Sequence, residues 1–343
     1  MSPLTFTAPI LAVAIGDPAG IGPELAAKAV MDPEIRAAAR LIIVGDARVL
    51  QQGAAQAGVT LDVEVRQPGQ DLTPGNRPVL LDLGHLDPEA ITLGKAQRAG
   101  GAFALRNLRE AIQLAASGEA DAVCFTPFNK AAMRMEHPPY DDEIGYTAEV
   151  LGLADVPAKE FNILDGLWNA RITSHVPLSA VASLITYDAV LEGLRLTDRS
   201  LKDSGFPTPR IAVAGLNPHA GDGGNFGHED DAIIAPAVEA AKREGIVADG
   251  PFPPDTVFVR ATKGAFDAVL TMYHDQGQIA MKLIGFDRGV TLLGGFPFPI
   301  CTPAHGSAYD IAGQGIAGTG ATRAALLLAA RMGAQRRAGA AAA

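Results

Sequence analysis

Three histidines each stand just after an apolar run: His175 after Ala170–Thr173, His219 after Ile211–Gly215 and His274 after Phe266–Met272. The runs read as buried strands, and ligands in α/β folds bind just outside the carboxyl ends of strands. Three converging imidazoles would suit one borderline divalent ion, such as zinc, cobalt or manganese, with open positions left for substrate. The histidines lie 44 residues (175 to 219) and 55 residues (219 to 274) apart, which is no local ligand motif. Spacing therefore does not show that they meet, and each histidine taken singly also suits a hydrogen-bonded structural role. The third belongs to the stretch Tyr273–Lys282, which adds Asp275, Gln276, a Gly277 suited to a tight turn, and Lys282 eight residues after the histidine. An ion held there would act as a Lewis acid in oxidising an alcohol near a carboxylate. It would steady the alkoxide, then the enolate left when a β-keto acid loses carbon dioxide. Lys282 could hold the carboxylate or serve as acid/base, or it could lie along the surface with its head in water. Asp275 could ligate the ion or orient His274 from behind. Lys130, after the strand Asp121–Phe125, could reach an anion or stay solvated.

These residues need a scaffold of strand ends. Ile10–Ile15 reads as a strand running into Gly16-Asp17-Pro18-Ala19-Gly20-Ile21-Gly22-Pro23-Glu24 and an Ala-rich helix. Pro23 suits a first helical turn, and the glycines allow close approach of a ligand to backbone. The spacing is not that of a Rossmann dinucleotide fingerprint. Further strands are expected at Leu41–Val44, Val59–Val65, Val79–Asp82 and Gly289–Leu293, with a strand pair, Phe161–Leu164 and Ala170–Thr173, around Asp165-Gly166. Helical spacing marks Lys95–Ser117, Asp188–Ser204 and Glu229–Glu244, and Asp255 opens another short element. Strands alternating with helices predict a mostly parallel α/β architecture.

The chain has 343 residues, 48% of them apolar and 19% charged, enough for two α/β lobes. Its net charge of −10 argues against nucleic acid or an acidic membrane as partner and leaves room for a small anionic substrate at a local positive site. Two cysteines, Cys124 and Cys301, allow no disulfide framework or cysteine-rich metal site. Met1–Pro9 lacks the pattern of a signal peptide, and no apolar run is long enough to span a bilayer, so a cytoplasmic protein is expected. The Ala-rich tail, Gln335–Ala343, is expected to fray.

The opening stretch from Gly16 to Glu24 resembles the first turn of isocitrate and isopropylmalate dehydrogenases. His305-Gly306-Ser307-Ala308-Tyr309-Asp310-Ile311-Ala312-Gly313-Gln314-Gly315-Ile316-Ala317 resembles their adenosine-binding loop. Thr173-Ser174-His175-Val176-Pro177-Leu178, Asn217-Pro218-His219-Ala220-Gly221 and Tyr273-His274-Asp275-Gln276-Gly277 look like motifs of the 4-hydroxythreonine-4-phosphate dehydrogenase family of vitamin B6 biosynthesis. The resemblance spans essentially the whole chain. It implies a two-lobed α/β/α fold of the isocitrate/isopropylmalate dehydrogenase kind, with 1–137 and 302–343 as one lobe and 138–301 as the other. It also implies a homodimer with a shared active site, and NAD-dependent oxidation followed by decarboxylation. One divalent metal per site (zinc, cobalt, manganese or magnesium) is implied on His175, His219 and His274, with both subunits contributing. Lys282 and Asp275 take catalytic roles in this reading. Gly16, Asp17, Asp255, His305, Gly306, Ala308 and Asp310 are the implied cofactor contacts.

Implied substrate contacts are Tyr146, Thr147, Lys282, Thr291 and Ile300, and three of these depart from the family pattern. Tyr146 stands where His is usual, Thr291 where Asn is usual, and Ile300 where an Arg is usual. An Arg there could bind phosphate bidentately; Ile cannot. This pattern looks like the family branch acting on cis-dihydrodiols of aromatic carboxylates, such as terephthalate dihydrodiol. The expected substrate is therefore a non-phosphorylated cis-dihydrodiol. The alternative is 4-hydroxythreonine 4-phosphate itself, with Lys130, Arg134 or Arg288 taking the phosphate. A reading from another class is a catalytically idle nucleotide-binding protein.

Overall fold

A computed structural model describes residues 8–154 and 156–342. The absence of a signal peptide was expected from Met1–Pro9, and Met1–Thr7 lie outside the described residues. The chain divides into two compact units, Met1–Val156 with Phe296–Ala343, and Pro157–Gly295. The expected division, at 137/138 and 301/302, falls elsewhere. The helix Glu143–Leu151 stays with the first unit because the Tyr146 hydroxyl donates to the Leu105 carbonyl at 3.1 Å.

In chain order the first unit contains β1 (Ile10–Ala14), α1 (Gly22–Met31), α2 (Pro33–Ala38), β2 (Arg40–Gly45), α3 (Ala47–Ala57), β3 (Glu64–Arg66) and β4 (Val79–Asp82). It continues with α4 (Arg98–Ala116), β5 (Ala122–Phe125), α5 (Lys130–Glu136) and α6 (Glu143–Leu151). Its strands lie in the order β3-β4-β2-β1-β5, all parallel. Every residue of β1 and β5 is buried, as expected for parallel strands covered on both faces. Local signals set the helix ends. Asp46 caps α3 by accepting from Arg48 N, and Gly58 closes it in the left-handed region at φ 66°. The strand expected over Val59–Val65 shrinks to Glu64–Arg66, where β3 pairs with β4 alone.

The second unit contains β6 (Lys159–Leu164), β7 (Leu167–Arg171), α7 (Leu178–Leu184), α8 (Tyr187–Asp203), β8 (Ile211–Ala214), α9 (Ala235–Arg243) and β9 (Ala248–Phe252). It closes with α10 (Pro254–Ala261), β10 (Ala268–Thr271), α11 (His274–Gly285) and β11 (Val290–Gly294). Strand order is β11-β6-β7-β10-β8-β9. The pairs β11–β6 and β6–β7 are antiparallel, and β7–β10, β10–β8 and β8–β9 are parallel.

The chain then returns to the first unit with β12 (Ile300–Pro303), parallel to β5, and α12 (Gly320–Ala342). Cys301 pairs in register with Cys124, and both are buried free thiols pushed up in pKa by that burial. The tail expected to fray is helical through Ala342. Alanine favours helix, and Arg337 ties the segment to the Ala8 carbonyl at 3.2 Å and to Asp121 at 3.3 Å. Ala343 lies outside the described residues. The α/β class expected from the sequence is the one observed. Among the described residues, no helix is long and apolar enough to cross a membrane.

Candidate active site

Sheet register explains why two of the three histidines meet. β7 and β10 are parallel neighbours with Arg171 opposite Thr271, so their carboxyl ends coincide. His175 follows one end and His274 the other. Their loops are held together where Thr173 donates to the Met272 carbonyl, from N at 3.1 Å and from Oγ1 at 2.8 Å. The two rings lie 5.6 Å apart between centroids and line a cavity of about 440 Å3 with Ser174, Leu178, Tyr273 and Asp275.

His274 opens α11, and its Nδ1 lies 2.6 Å from Asp275 Oδ1, which leaves Nε2 as the ring nitrogen for a ligand. Gly277 sits inside the first turn of α11, not in the tight turn expected. A Cβ there would stand 2.1 Å from Asn169 Oδ1, so only glycine lets the helix pack so closely on β7. Gln276 anchors the same turn, accepting from Met272 N at 2.7 Å and donating to the Gly215 carbonyl at 2.8 Å. In α11, His274, Gln278 and Lys282 fall on one face, because residues four apart are neighbours. Lys282 is solvent-exposed, about 12 Å along the helix from His274 at 1.5 Å per residue.

His219 also leaves a carboxyl end, that of β8 on the other side of β10. Its loop turns through five consecutive left-handed residues, His219 to Gly223, with φ between 45° and 83°. Each non-glycine residue held there costs roughly 1–3 kcal/mol. Asp230 stabilises the loop. It is fully buried and accepts from Leu216 N at 2.8 Å, Asn217 N at 3.2 Å and Asn217 Nδ2 at 2.9 Å. The His219 ring packs 6.0 Å from Phe226 and takes no part in the His175–His274 cavity. Among the described residues of one chain, no three His, Cys, Asp or Glu side chains gather closely enough to hold a metal.

A buried polar network that sequence reading missed lies behind His175. Arg171, 2% exposed, donates to Ser174 Oγ at 2.7 Å, to Asn162 and to Glu160. Asn162 also accepts from Gln278 Nε2 at 2.7 Å and donates to Thr291 Oγ1 at 3.4 Å. Thr291 thus serves this network. Burial, and then the Arg171 charge, lower the pKa of Lys159, which donates to the Ile172 carbonyl at 2.8 Å. No periodicity marks these residues, since polar side chains buried in strands look like alternation errors in the sequence.

Three expected substrate contacts do not face solvent. Ile300 is fully buried in β12 opposite Val123, where it is core. Thr147 is fully buried, its hydroxyl donating back to the Glu143 carbonyl at 2.7 Å within α6. Tyr146, 4% exposed, spends its hydroxyl on Leu105.

In the first unit the two ends of the chain come together. Ile21 N donates to the Ser307 carbonyl at 3.0 Å, Tyr309 donates to Asp17 at 2.6 Å, and Ala317 N donates to the buried Glu24 at 2.8 Å. Lys28 pairs with Glu24 at 2.6 Å and donates to the carbonyls of Gly315 and Ala317. Gly16 has no room for a side chain, as a Cβ would meet the Thr126 and Pro127 carbonyls at 2.3 Å. Burial raises the pKa of Asp17 and lowers that of His305. Gly306 and Asp310 are exposed on the same loop, and Ala308 turns it at φ 44°. Six of the seven expected cofactor contacts therefore share one unit. Asp255 belongs to the other, exposed in the first turn of α10.

The family model of pyridoxal phosphate biosynthetic protein PdxA matches residues 37–329. A Rhizobium meliloti protein provisionally named 4-hydroxythreonine-4-phosphate dehydrogenase 2 is 58% identical over 96% of this chain and 95% of its own. A Symbiobacterium thermophilum protein provisionally named D-threonate 4-phosphate dehydrogenase is 41% identical over 90% and 92%. The solved 4-hydroxythreonine-4-phosphate dehydrogenase of Klebsiella pneumoniae is 34% identical, with a TM-score of 0.82 over 95% of this chain and 98% of that one. The terephthalate 1,2-cis-dihydrodiol dehydrogenase of Burkholderia xenovorans is more distant, at 28% and 0.67 over 95% and 98%.

The expected dihydrodiol substrate is thereby corrected, because the nearer relatives are named for phosphorylated substrates. Ile300, on which the dihydrodiol expectation leaned, is buried in β12 of the chain. The broader expectation of an oxidoreductase of dehydrogenase type stands. By a match over most of its length, this chain belongs to the family of pyridoxal phosphate biosynthetic protein PdxA.

Proposed function

We propose that the chain is an NAD-dependent, metal-dependent dehydrogenase of 4-hydroxythreonine 4-phosphate. The observation that carries this reading is the His175–His274 pair at adjacent strand ends, in a chain whose relatives are named for that substrate. D-threonate 4-phosphate is the second reading, favoured by the relative named for it. Both compounds carry a phosphate, and a hydroxyl on the carbon β to a carboxylate.

The donor set suits a borderline divalent ion, with two imidazoles facing one cavity and His274 oriented by a carboxylate. A third ligand is wanting within one chain, and we assign it to His219 of a second copy. Exposed apolar side chains around the site would be covered by that copy: Leu178 is 72% exposed, Ile279 60% and Leu283 84%. When bound, the ion would polarise the substrate hydroxyl and carboxylate. The Gly16 turn and the His305–Ala317 loop would hold NAD, with close backbone approach at Gly16 and Gly306. When bound, NAD would supply the acceptor for hydride from the carbinol carbon, and the hydroxyl proton would leave to a base. Decarboxylation of the β-keto acid follows, its C–C bonding pair passing to the enolate, which is then protonated. Lys282, on the His274 face of α11, is assigned to the substrate carboxylate or to that protonation.

The test is NADH formation from both phosphorylated acids, together with metal content. We expect turnover with at least one acid, and metal retention that His219→Ala abolishes. A metal-replete protein that reduces NAD with neither acid would overturn the proposal.

A further inference from the structure

The first unit carries a second cavity, of about 530 Å3, whose charged lining is two arginines, Arg106 and Arg109, and one carboxylate, Glu136. Arg106 and Arg109 stand one turn apart on α4 and share a face. Arg106 has no ion-pair partner among the described residues. Arg109 lies 5.6 Å over the Tyr146 ring and 3.9 Å from Glu149. The nearby carboxylates are already engaged, Glu149 by His137 at 2.8 Å and Glu136 by Arg98 at 2.7 Å. One turn before Arg106 on α4, Phe103 stacks on the His85 ring at 4.9 Å, and both His85 nitrogens are buried without a hydrogen-bond partner. Such groups are seldom left unpaired without a reason.

We propose that this cavity binds a small organic phosphate, the phosphate on Arg106 and Arg109 and the organic body against the His85–Phe103 face. Guanidinium forks match oxyanions bidentately, and two forks offer more donors than one carboxylate can use but suit the three free oxygens of a phosphate monoester. Like charges one turn apart repel, and an oxyanion between them removes that repulsion. The volume suits a metabolite-sized ligand. The chain carries a net charge of −10, so general attraction does not bring an anion here and the local cations must. The cavity is lined by residues of the first unit, whereas His175, His219 and His274 belong to the second, and the proposal stands whether or not the proposed substrate is right.

Calorimetric titration with phenyl phosphate tests it, using wild type and Arg106→Ala/Arg109→Ala, which keep the same histidines. Wild type should bind phenyl phosphate more tightly than benzoate, and the double variant should lose at least about tenfold in affinity. If circular dichroism shows the double variant unfolded, Arg106→Glu carries the test, since Arg106 has no internal ion pair to lose. No binding by wild type, or equal binding by the variant, overturns the proposal. So does a raised KM for the phosphorylated hydroxy acid in the variant with competition by phenyl phosphate, since the cavity would then be part of the reaction site.

Discussion

Tyr309 donates its hydroxyl to the Asp17 carboxylate at 2.6 Å, joining the first turn of the chain to a loop almost 300 positions later. Burial raises the pKa of Asp17, and this bond and the one from Ala19 N oppose the rise. Tyr309→Phe leaves the buried carboxylate short of a donor and should destabilise the protein by roughly 1–3 kcal/mol. Denaturant unfolding reads that loss, and fluorescence titration with NADH should show weaker binding. Unchanged affinity for NADH would separate this bond from the cofactor.

The strained turn that carries His219 depends on Asp230, which accepts three N–H groups. Asp230→Ala strands those donors and should cost about 3 kcal/mol or more. Asp230→Asn keeps the shape with fewer acceptors and should lower metal affinity roughly tenfold or more, as loss of a supporting partner does. Equilibrium dialysis with zinc measures it; full affinity in a folded Asp230→Asn protein would remove the loop from the metal site.

Gly277→Ala should destabilise by about 1–3 kcal/mol through overpacking, since the new Cβ would collide with Asn169. Asn169→Ala in the same chain should recover part of that loss. Failure of the double variant to recover would place the strain elsewhere.

Mixing His175→Ala and His219→Ala proteins tests a site shared between copies. If His175 and His274 come from one copy and His219 from the other, a hybrid keeps one intact site. Random exchange of subunits should then restore about a quarter of wild-type activity from two inactive parents. A mixture that stays inactive although native mass spectrometry detects hybrids would place all three ligands within one chain and overturn the shared site.

Asp46 gives a pH signature. Burial pushes its carboxyl up, but hydrogen bonds from Arg48 and from Leu86 N outweigh that and hold it below its ordinary value of 3.8. A carboxyl depressed in the fold adds stability above its unfolded pKa and loses it as pH falls through the folded one. Asp46→Asn should therefore be less stable than wild type at pH 7, by roughly 1 kcal/mol, with the gap closing below about pH 4. A gap that does not narrow as the pH falls below 3.8 would assign the effect to packing.

The local features were legible because their causes are local. Apolar runs ending in glycine or a polar residue mark β1, β2, β5, β8 and β10, and helical spacing marks α4 and α8. Gly277 was misread because glycine signals a turn by conformation, whereas here it serves a close approach to Asn169 from another element. That Ile300 and Thr147 are buried was not legible, because the direction of a side chain depends on which strand or helix lies beside it.

The sequence alone determined the α/β class, the placement of three histidines after strands and, through its motifs, the family. Hydrophobic periodicity and turn chemistry act over a few residues and can be read there. Only the tertiary structure decided that His175 and His274 share a cavity while His219, though it leaves a neighbouring strand, turns toward Phe226. The reason is that strand register and a left-handed loop held by a buried Asp230 depend on contacts between distant residues, which no local pattern records.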